Sequence, residues 1–229
     1  VSKWAAWVEE KARAEINRFY PPDEDGTVPL GYIWAHTVRC ENPSCGAEIP
    51  VMRQLWLSNK SNRKIALKIS VDKKSKKVKF QVAKSKQIDF NPSEGTARQT
   101  AILCPVCTAG LKTDEARKQA YEGRMNQRLV CVVTFDQKEG KAYRTATDRD
   151  YETFANTEEY LNKKAKTLEG IFPIIPDEPI PTPTGKTYSG RGELFWVHLQ
   201  TVLYRMTSWS DLFNTRQKLS IVTFLEKVR

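Results

Sequence analysis

The stretch Tyr32-Ile33-Trp34-Ala35-His36-Thr37-Val38-Arg39-Cys40-Glu41-Asn42-Pro43-Ser44-Cys45-Gly46 runs a β-prone segment directly into a pair of cysteines. Ala101-Ile102-Leu103-Cys104-Pro105-Val106-Cys107 repeats the arrangement later in the chain. Each pair brackets a tight turn, so each turn can present two thiolates together. Gly46 suits a positive φ, and Pro43 and Pro105 stiffen the loops. Zn²⁺ takes four ligands in a tetrahedron, and two such knuckles supply a closed shell. Cys40, Cys45, Cys104 and Cys107 are therefore expected to form one structural Zn²⁺ site, against the alternatives of two disulfides or four unrelated buried thiols. His36 is a rival ligand four residues before Cys40. Cys131, alone in Leu129-Val130-Cys131-Val132-Val133, reads as a buried apolar thiol.

Working outward, residues 2–20 carry Trp4, Val8, Ala12, Ile16 and Phe19 at helical spacing, with Ser2 placed to cap them and Pro21-Pro22 to end them. Residues 49–58 read as a short strand or extended segment. Ile65, Leu67 and Ile69, then Val78, Phe80 and Val82, alternate with polar residues around Asp72-Lys73-Lys74-Ser75, which predicts a hairpin. Residues 87–100 read as a loop. Thr113 is placed to cap a short helix at 114–121. Residues 129–135 and 142–145 read as a second hairpin around Lys138-Glu139-Gly140, and 149–168 as a helix with Tyr151, Phe154, Tyr160, Leu161 and Leu168 as its apolar members. Thr215 is the expected cap of a final helix.

The expected fold class is α+β, a zinc ribbon with antiparallel β-hairpins flanked by N-terminal and C-terminal helices. Its parts are an N-terminal helix (1–22), a zinc-ribbon β domain (23–147) with a basic hairpin at 60–86, a helix (148–170), a Pro-rich linker (171–190) and a C-terminal helical segment (191–229). The metal site is expected to fix the base of the basic hairpin.

That hairpin concentrates cations. Lys60, Arg63, Lys64, Lys68, Lys73, Lys74, Lys76, Lys77 and Lys79 lie within it, followed by Lys84 and Lys86, and Asp72 is the one acidic residue among them. Two readings stand side by side. One is a solvated face whose lysines block edge pairing. The other is a ribbon that contacts nucleic-acid phosphates. Trp56 nearby could stack on a base or fill the core. The net charge of +10 favours a polyanionic partner without bearing on fold.

Composition removes other classes. A hydrophobic fraction of 40% with six Trp, nine Phe and eight Tyr in 229 residues is globular, not disordered. No apolar run approaches the roughly 20 residues that span a bilayer, so no membrane partner is expected. Five cysteines in this pattern suit reduced thiols and a cytoplasmic location. His36 and His198 are the two histidines, on separate elements, so no catalytic triad suggests itself. Gly185-Lys186-Thr187 echoes the end of a phosphate-binding loop but lacks its first glycine and a preceding strand. No acidic metal constellation supports an independent nuclease or RNA-processing enzyme. The chain opens Val1-Ser2-Lys3-Trp4 and stops inside a helical pattern, so it reads as a segment of a longer protein.

The run 32–40, followed by Gly46-Ala47-Glu48-Ile49-Pro50 and Leu55-Trp56-Leu57-Ser58, resembles the zinc-ribbon segment of a large family of predicted adenine-specific DNA methylases. Arg124-Met125 and Trp209-Ser210-Asp211-Leu212-Phe213-Asn214-Thr215-Arg216-Gln217 share the likeness, which covers about Trp4 to Val228. Members carry an N-terminal domain of unknown function and are often associated with anti-phage systems. The resemblance implies a segment inserted between the S-adenosylmethionine-binding motif and the catalytic Asp/Asn-Pro-Pro-Tyr motif of the parent enzyme. Neither motif occurs here, so the four cysteines carry over and no catalytic residue does. S-adenosylmethionine is expected only in the parent, and this segment is expected to be inactive alone. Expected partners are DNA, the rest of the methyltransferase polypeptide and other defence-system proteins. The rival expectation is a structural or protein-interaction module within that enzyme or its defence complex.

Overall fold

The computed structural model describes residues 2–136, 140–168, 175, 177–180 and 200–228. The chain is mixed α and β, with antiparallel sheets and terminal helices, and it divides into two compact units. One comprises residues 22–147, the other residues 1–21 with 148–229.

The first unit is built on β1 (Val28–Arg39), which is longer than the β-branched run that marks it in the sequence. It pairs with β2 (Glu48–Val51) on one side and β8 (Asn126–Asp136) on the other, and β9 (Gly140–Thr145) completes a four-stranded sheet in the order β2-β1-β8-β9. The β1–β8 register is irregular between Pro29 and Gly31, where a proline and a glycine interrupt the ladder, and again between Ile33 and Trp34.

A second sheet, β3-β4-β5, is formed by Trp56–Lys60, Arg63–Asp72 and Lys77–Lys84. Its β4–β5 register sets Leu67 opposite Val82, Ile69 opposite Phe80 and Val71 opposite Val78, the pairing that the alternation demands. This apolar face joins Ala35, Leu55, Val130 and Cys131 in a core shared with the first sheet. The opposite face is not uniformly basic: Ala66 and Ala83 pair on it and both are buried. Trp56 is half-buried, and its indole N–H donates to the Ser93 hydroxyl at 3.0 Å.

β6 (Ala101–Leu103) and β7 (Gly110–Lys112) form a small hairpin, followed by α2 (Thr113–Tyr121). Thr113 is not the cap of α2. The helix begins there, and the Glu115 carboxylate accepts the Lys112 N–H at 2.8 Å. The loop expected at 87–100 is tied down where it passes β2 and β3: Gly95 N–H donates to the Arg53 carbonyl, and Leu55 N–H to that of Pro92. A Cβ on Gly95 would lie 1.9 Å from the Met52 carbonyl oxygen, so only glycine fits this crossing.

The second unit packs α1 (Ser2–Ile16), α3 (Asp148–Leu168) and α4 (Thr215–Val228) around Phe19, Leu161, Leu219 and Val222. Residues 17–19 leave α1 as a 3₁₀ turn. Trp4 is exposed despite its place on the apolar stripe, and so is Tyr151 on α3. Asn214, not Thr215, caps α4. Its side-chain oxygen accepts the Gln217 N–H at 3.0 Å, and the Gln217 side chain accepts the Asn214 N–H at 2.9 Å, a reciprocal box. Glu15 sits among Lys164, Lys227 (3.0 Å) and the Tyr160 hydroxyl (2.9 Å). Burial opposes its ionisation, but the three hydrogen bonds together outweigh burial and hold the carboxyl at about 2. Much of the stretch expected as a linker lies outside the described residues. Within it, Pro179 bridges to Ser208, and Ile180 N–H donates to the Thr207 carbonyl at 2.7 Å, which buries Ile180.

Candidate metal centre

Two hairpins of the same design carry the four cysteines. In the first, β1 and β2 pair up to Arg39 and Glu48, and Cys40 N–H donates to the Ala47 carbonyl at 2.9 Å. In the second, β6 and β7 pair up to Leu103 and Gly110, and Cys104 N–H donates to the Ala109 carbonyl at 2.9 Å. The chain turns over at each tip through a left-handed residue directly after the second cysteine. These are Gly46 (φ 59°), which the sequence signals, and Thr108 (φ 62°), which it does not. Main-chain amides point back at the sulfurs: Asn42 at Cys40, Val106 at Cys104 and Ala109 at Cys107.

The two tips meet. The Cys40 and Cys107 sulfurs are 3.6 Å apart, those of Cys45 and Cys104 3.8 Å apart, and all four lie within 4.8 Å of one another. A disulfide would need about 2.05 Å, so none of these cysteines is paired. A tetrahedron of sulfurs at the zinc–thiolate distance has edges of about 3.8 Å. The cluster therefore has the size and donor set to hold one metal ion. Burial pushes Cys40 up to about 12 and raises Cys104, while the Ala109 N–H draws Cys107 down to about 7. A bound divalent cation reverses the burial penalty by keeping coordinating thiols deprotonated. His36 is not one of the group; burial lowers its pKa. Cys131 is fully buried, and desolvation pushes its thiol to about 12, as expected of an inert core cysteine.

Around the sulfurs, Val38, Ala47, Ile49, Ile102, Leu111 and Ala116 form an apolar shell. Through it, α2 sends one polar side chain that the sequence reading missed. Gln119 is fully buried. Its carbonyl oxygen accepts the Arg39 N–H, and its amide donates to the Arg39 carbonyl, each at 2.8 Å, with a further bond to Glu41 at 3.3 Å. It thus clamps the residue just before Cys40, as a supporting group around a metal site does.

The nine expected phosphate contacts do not form one group. Lys60, Arg63 and Lys64 lie at the β3–β4 turn, whereas Lys73, Lys74, Lys76, Lys77 and Lys79 lie at the β4–β5 turn. The length of β4, about 30 Å, separates them. Lys68, between the two, is paired with Asp89 at 2.8 Å. Arg63 donates to the Lys141 carbonyl.

The knuckle does not meet the base of this hairpin, as expected from the sequence, but its tip. Lys76, itself left-handed (φ 54°), donates through Nζ to the Ser44 carbonyl at 2.6 Å. The reason is the length of β4 and β5, which carries their turn back over the Cys40–Cys45 loop. No helix among the described residues is long and apolar enough to cross a membrane. Comparison with protein-family models, with curated proteins and with solved structures gives no match.

Proposed function

We propose that Cys40, Cys45, Cys104 and Cys107 hold one structural Zn²⁺ and that the two knuckle hairpins form a zinc ribbon. The observation that carries this is the four-sulfur cluster, whose spacing matches a zinc–thiolate tetrahedron. Four thiolates leave no open coordination position, so the ion scaffolds and does not act as a Lewis acid.

On this scaffold, the chain serves DNA engagement or target recognition as the inserted segment of an S-adenosylmethionine-dependent DNA adenine methyltransferase. Two things support that reading: the resemblance of residues 32–40, 46–50, 55–58, 124–125 and 209–217, and the lysine-rich β4–β5 tip beside Ser44. The parent enzyme transfers a methyl group to the adenine amine, on a base taken out of the duplex. The chain carries neither the S-adenosylmethionine-binding motif nor the catalytic motif of that parent.

A DNA titration at about 50 mM and about 200 mM salt tests it. Affinity that drops steeply between the two, and vanishes when the charges at 73–79 are reversed, is the expected result. Methyl transfer by these 229 residues alone would overturn the division of labour.

A second reading, a protein-interaction module within the enzyme or its defence complex, is favoured by the exposed Ile221, Phe224 and Leu225 on α4 and by Trp4 and Trp7 on α1. Absence of DNA binding at low salt selects it.

A further inference from the structure

Beside the metal centre, a cleft of about 560 Å³ opens between the Cys45-Gly46-Ala47-Glu48 turn and residues 75–79 of the β4–β5 tip. This volume falls in the usual range of ligand clefts, roughly 300–1,000 Å³. Its walls carry five cations, Arg39, Lys76, Lys77, Lys79 and Arg128, against one carboxylate, Glu48. Arg39 and Arg128 were not among the cations that the sequence singled out. They are distant along the chain, and β1–β8 pairing brings their strands side by side, with Ala35 opposite Arg128.

The cations stand on ordered elements. Arg128 is steadied by Glu48 at 3.6 Å and lies over the Phe80 ring at 5.2 Å. The backbone of Arg39 is clamped by Gln119. Lys77 and Lys79 project from β5, and Lys76 is tied to the Ser44 carbonyl. Arg39, Lys77 and Lys79 are exposed, and none forms an ion pair among the described residues. Concave positive surface with unspent guanidinium and ammonium donors recognises phosphate oxygens, bidentately through arginine.

We propose that this cleft is where a DNA strand's phosphodiesters sit, held by Arg39, Lys77 and Lys79, and that the Lys60 and Lys64 end of the hairpin takes no part. The choice of DNA as occupant rests on the reading given under Proposed function. Because the metal-binding loop forms one wall, metal loading and phosphate binding are coupled. Removing the ion frees Ser44, Cys45 and Gly46 and dissolves the cleft.

The test compares two triple variants of the full chain that lose equal charge. One is Arg39→Gln, Lys77→Gln, Lys79→Gln; the other is Lys60→Gln, Lys64→Gln, Lys86→Gln. Binding to a fluorescein-labelled oligonucleotide, single-stranded and duplex, is followed by anisotropy across a salt series, with far-UV circular dichroism to confirm folding. All six side chains are exposed, so both variants should fold. The cleft variant should lose about tenfold or more in affinity at low salt, and its log K against log salt slope should flatten by about 2 to 3. The control variant should stay within about twofold of the parent. Stripping the metal with a chelator should mimic the cleft variant. Equal losses in the two triples, or an unaffected cleft variant, overturn the cleft assignment while DNA binding stands. No DNA binding by the unmodified chain at low salt overturns the DNA reading itself, and this assignment with it.

Discussion

Replacing Gln119 with alanine removes the buried side chain by which α2 holds Arg39 beside the four-cysteine cluster. The cost follows from its bonds. Truncation leaves the Arg39 N–H and carbonyl without their partners at 2.8 Å. An orphaned buried polar group costs about 1–3 kcal/mol. The site is partly buried, so the lower half of that range applies to each group. Loss of the packed methylenes adds about 1 kcal/mol. The sum is roughly 3–5 kcal/mol, which for a unit of this size lowers the melting temperature by roughly 10–20 °C. Arg39 adjoins Cys40, so metal affinity should fall by about 10- to 100-fold, the usual effect of losing a group that orients a ligand. Differential scanning calorimetry and a competitive zinc titration read the two effects. Gln119→Glu separates hydrogen bonding from packing. It keeps the acceptor for the Arg39 N–H, loses the donor to the carbonyl, and sets a carboxylate where the amide now donates to Glu41 at 3.3 Å. It should do no better than alanine. If Gln119→Ala melts with the parent and binds zinc equally well, the clamp is not what holds this knuckle.

Two further outcomes are expected. Gly95→Ala drives a methyl to 1.9 Å from the Met52 carbonyl oxygen, so the loop must move and chemical denaturation should show a loss of roughly 2–4 kcal/mol; an unchanged midpoint would mean the crossing is not tight. Glu15 is held at about 2 against an ordinary value of 4.5, and its side chain is only 16% exposed. Because the folded value is the lower one, its stabilisation, up to about 3 kcal/mol, is complete above 4.5 and is lost as the pH falls towards 2. Amide exchange in α3 and α4 should therefore accelerate through that window, and Glu15→Gln should flatten the profile; a variant as acid-sensitive as the parent would refute it.

What the sequence disclosed and what it hid follow from the range of the interactions. The β4–β5 hairpin was legible because burying one face forces apolar residues to alternate, and Leu67 opposite Val82 is the consequence. The cysteine pairs were legible because two closely spaced pairs are the sequence mark of a site that can hold a metal, and their four sulfurs do meet. Caps slipped by one residue: Asn214 and Gln217 spell the reciprocal box, but a threonine stands next to them. Trp4 lies on the apolar stripe of α1 yet is exposed, because periodicity tells which residues share a face and not whether a partner covers it. Thr108 gave no sign of its left-handed backbone, since glycine or asparagine is the usual marker. Gln119 is a lone polar residue in a short helix, and only its contact with Arg39, distant along the chain, gives it a purpose. The cleft was hidden for the same reason. A count of lysines located the charge, but strand pairing decided which cations share a concave surface and which lie at the far end of β4.

The central claim is that four cysteines from two hairpins bind one metal ion. Native mass spectrometry of the metal-loaded chain, paired with thiol alkylation before and after chelation, tests it directly. The claim predicts a single bound zinc, four thiols protected until the metal is removed, and loss of that zinc in Cys104→Ser. A chain that takes up no stoichiometric zinc, or keeps it with full affinity in Cys104→Ser, would contradict it.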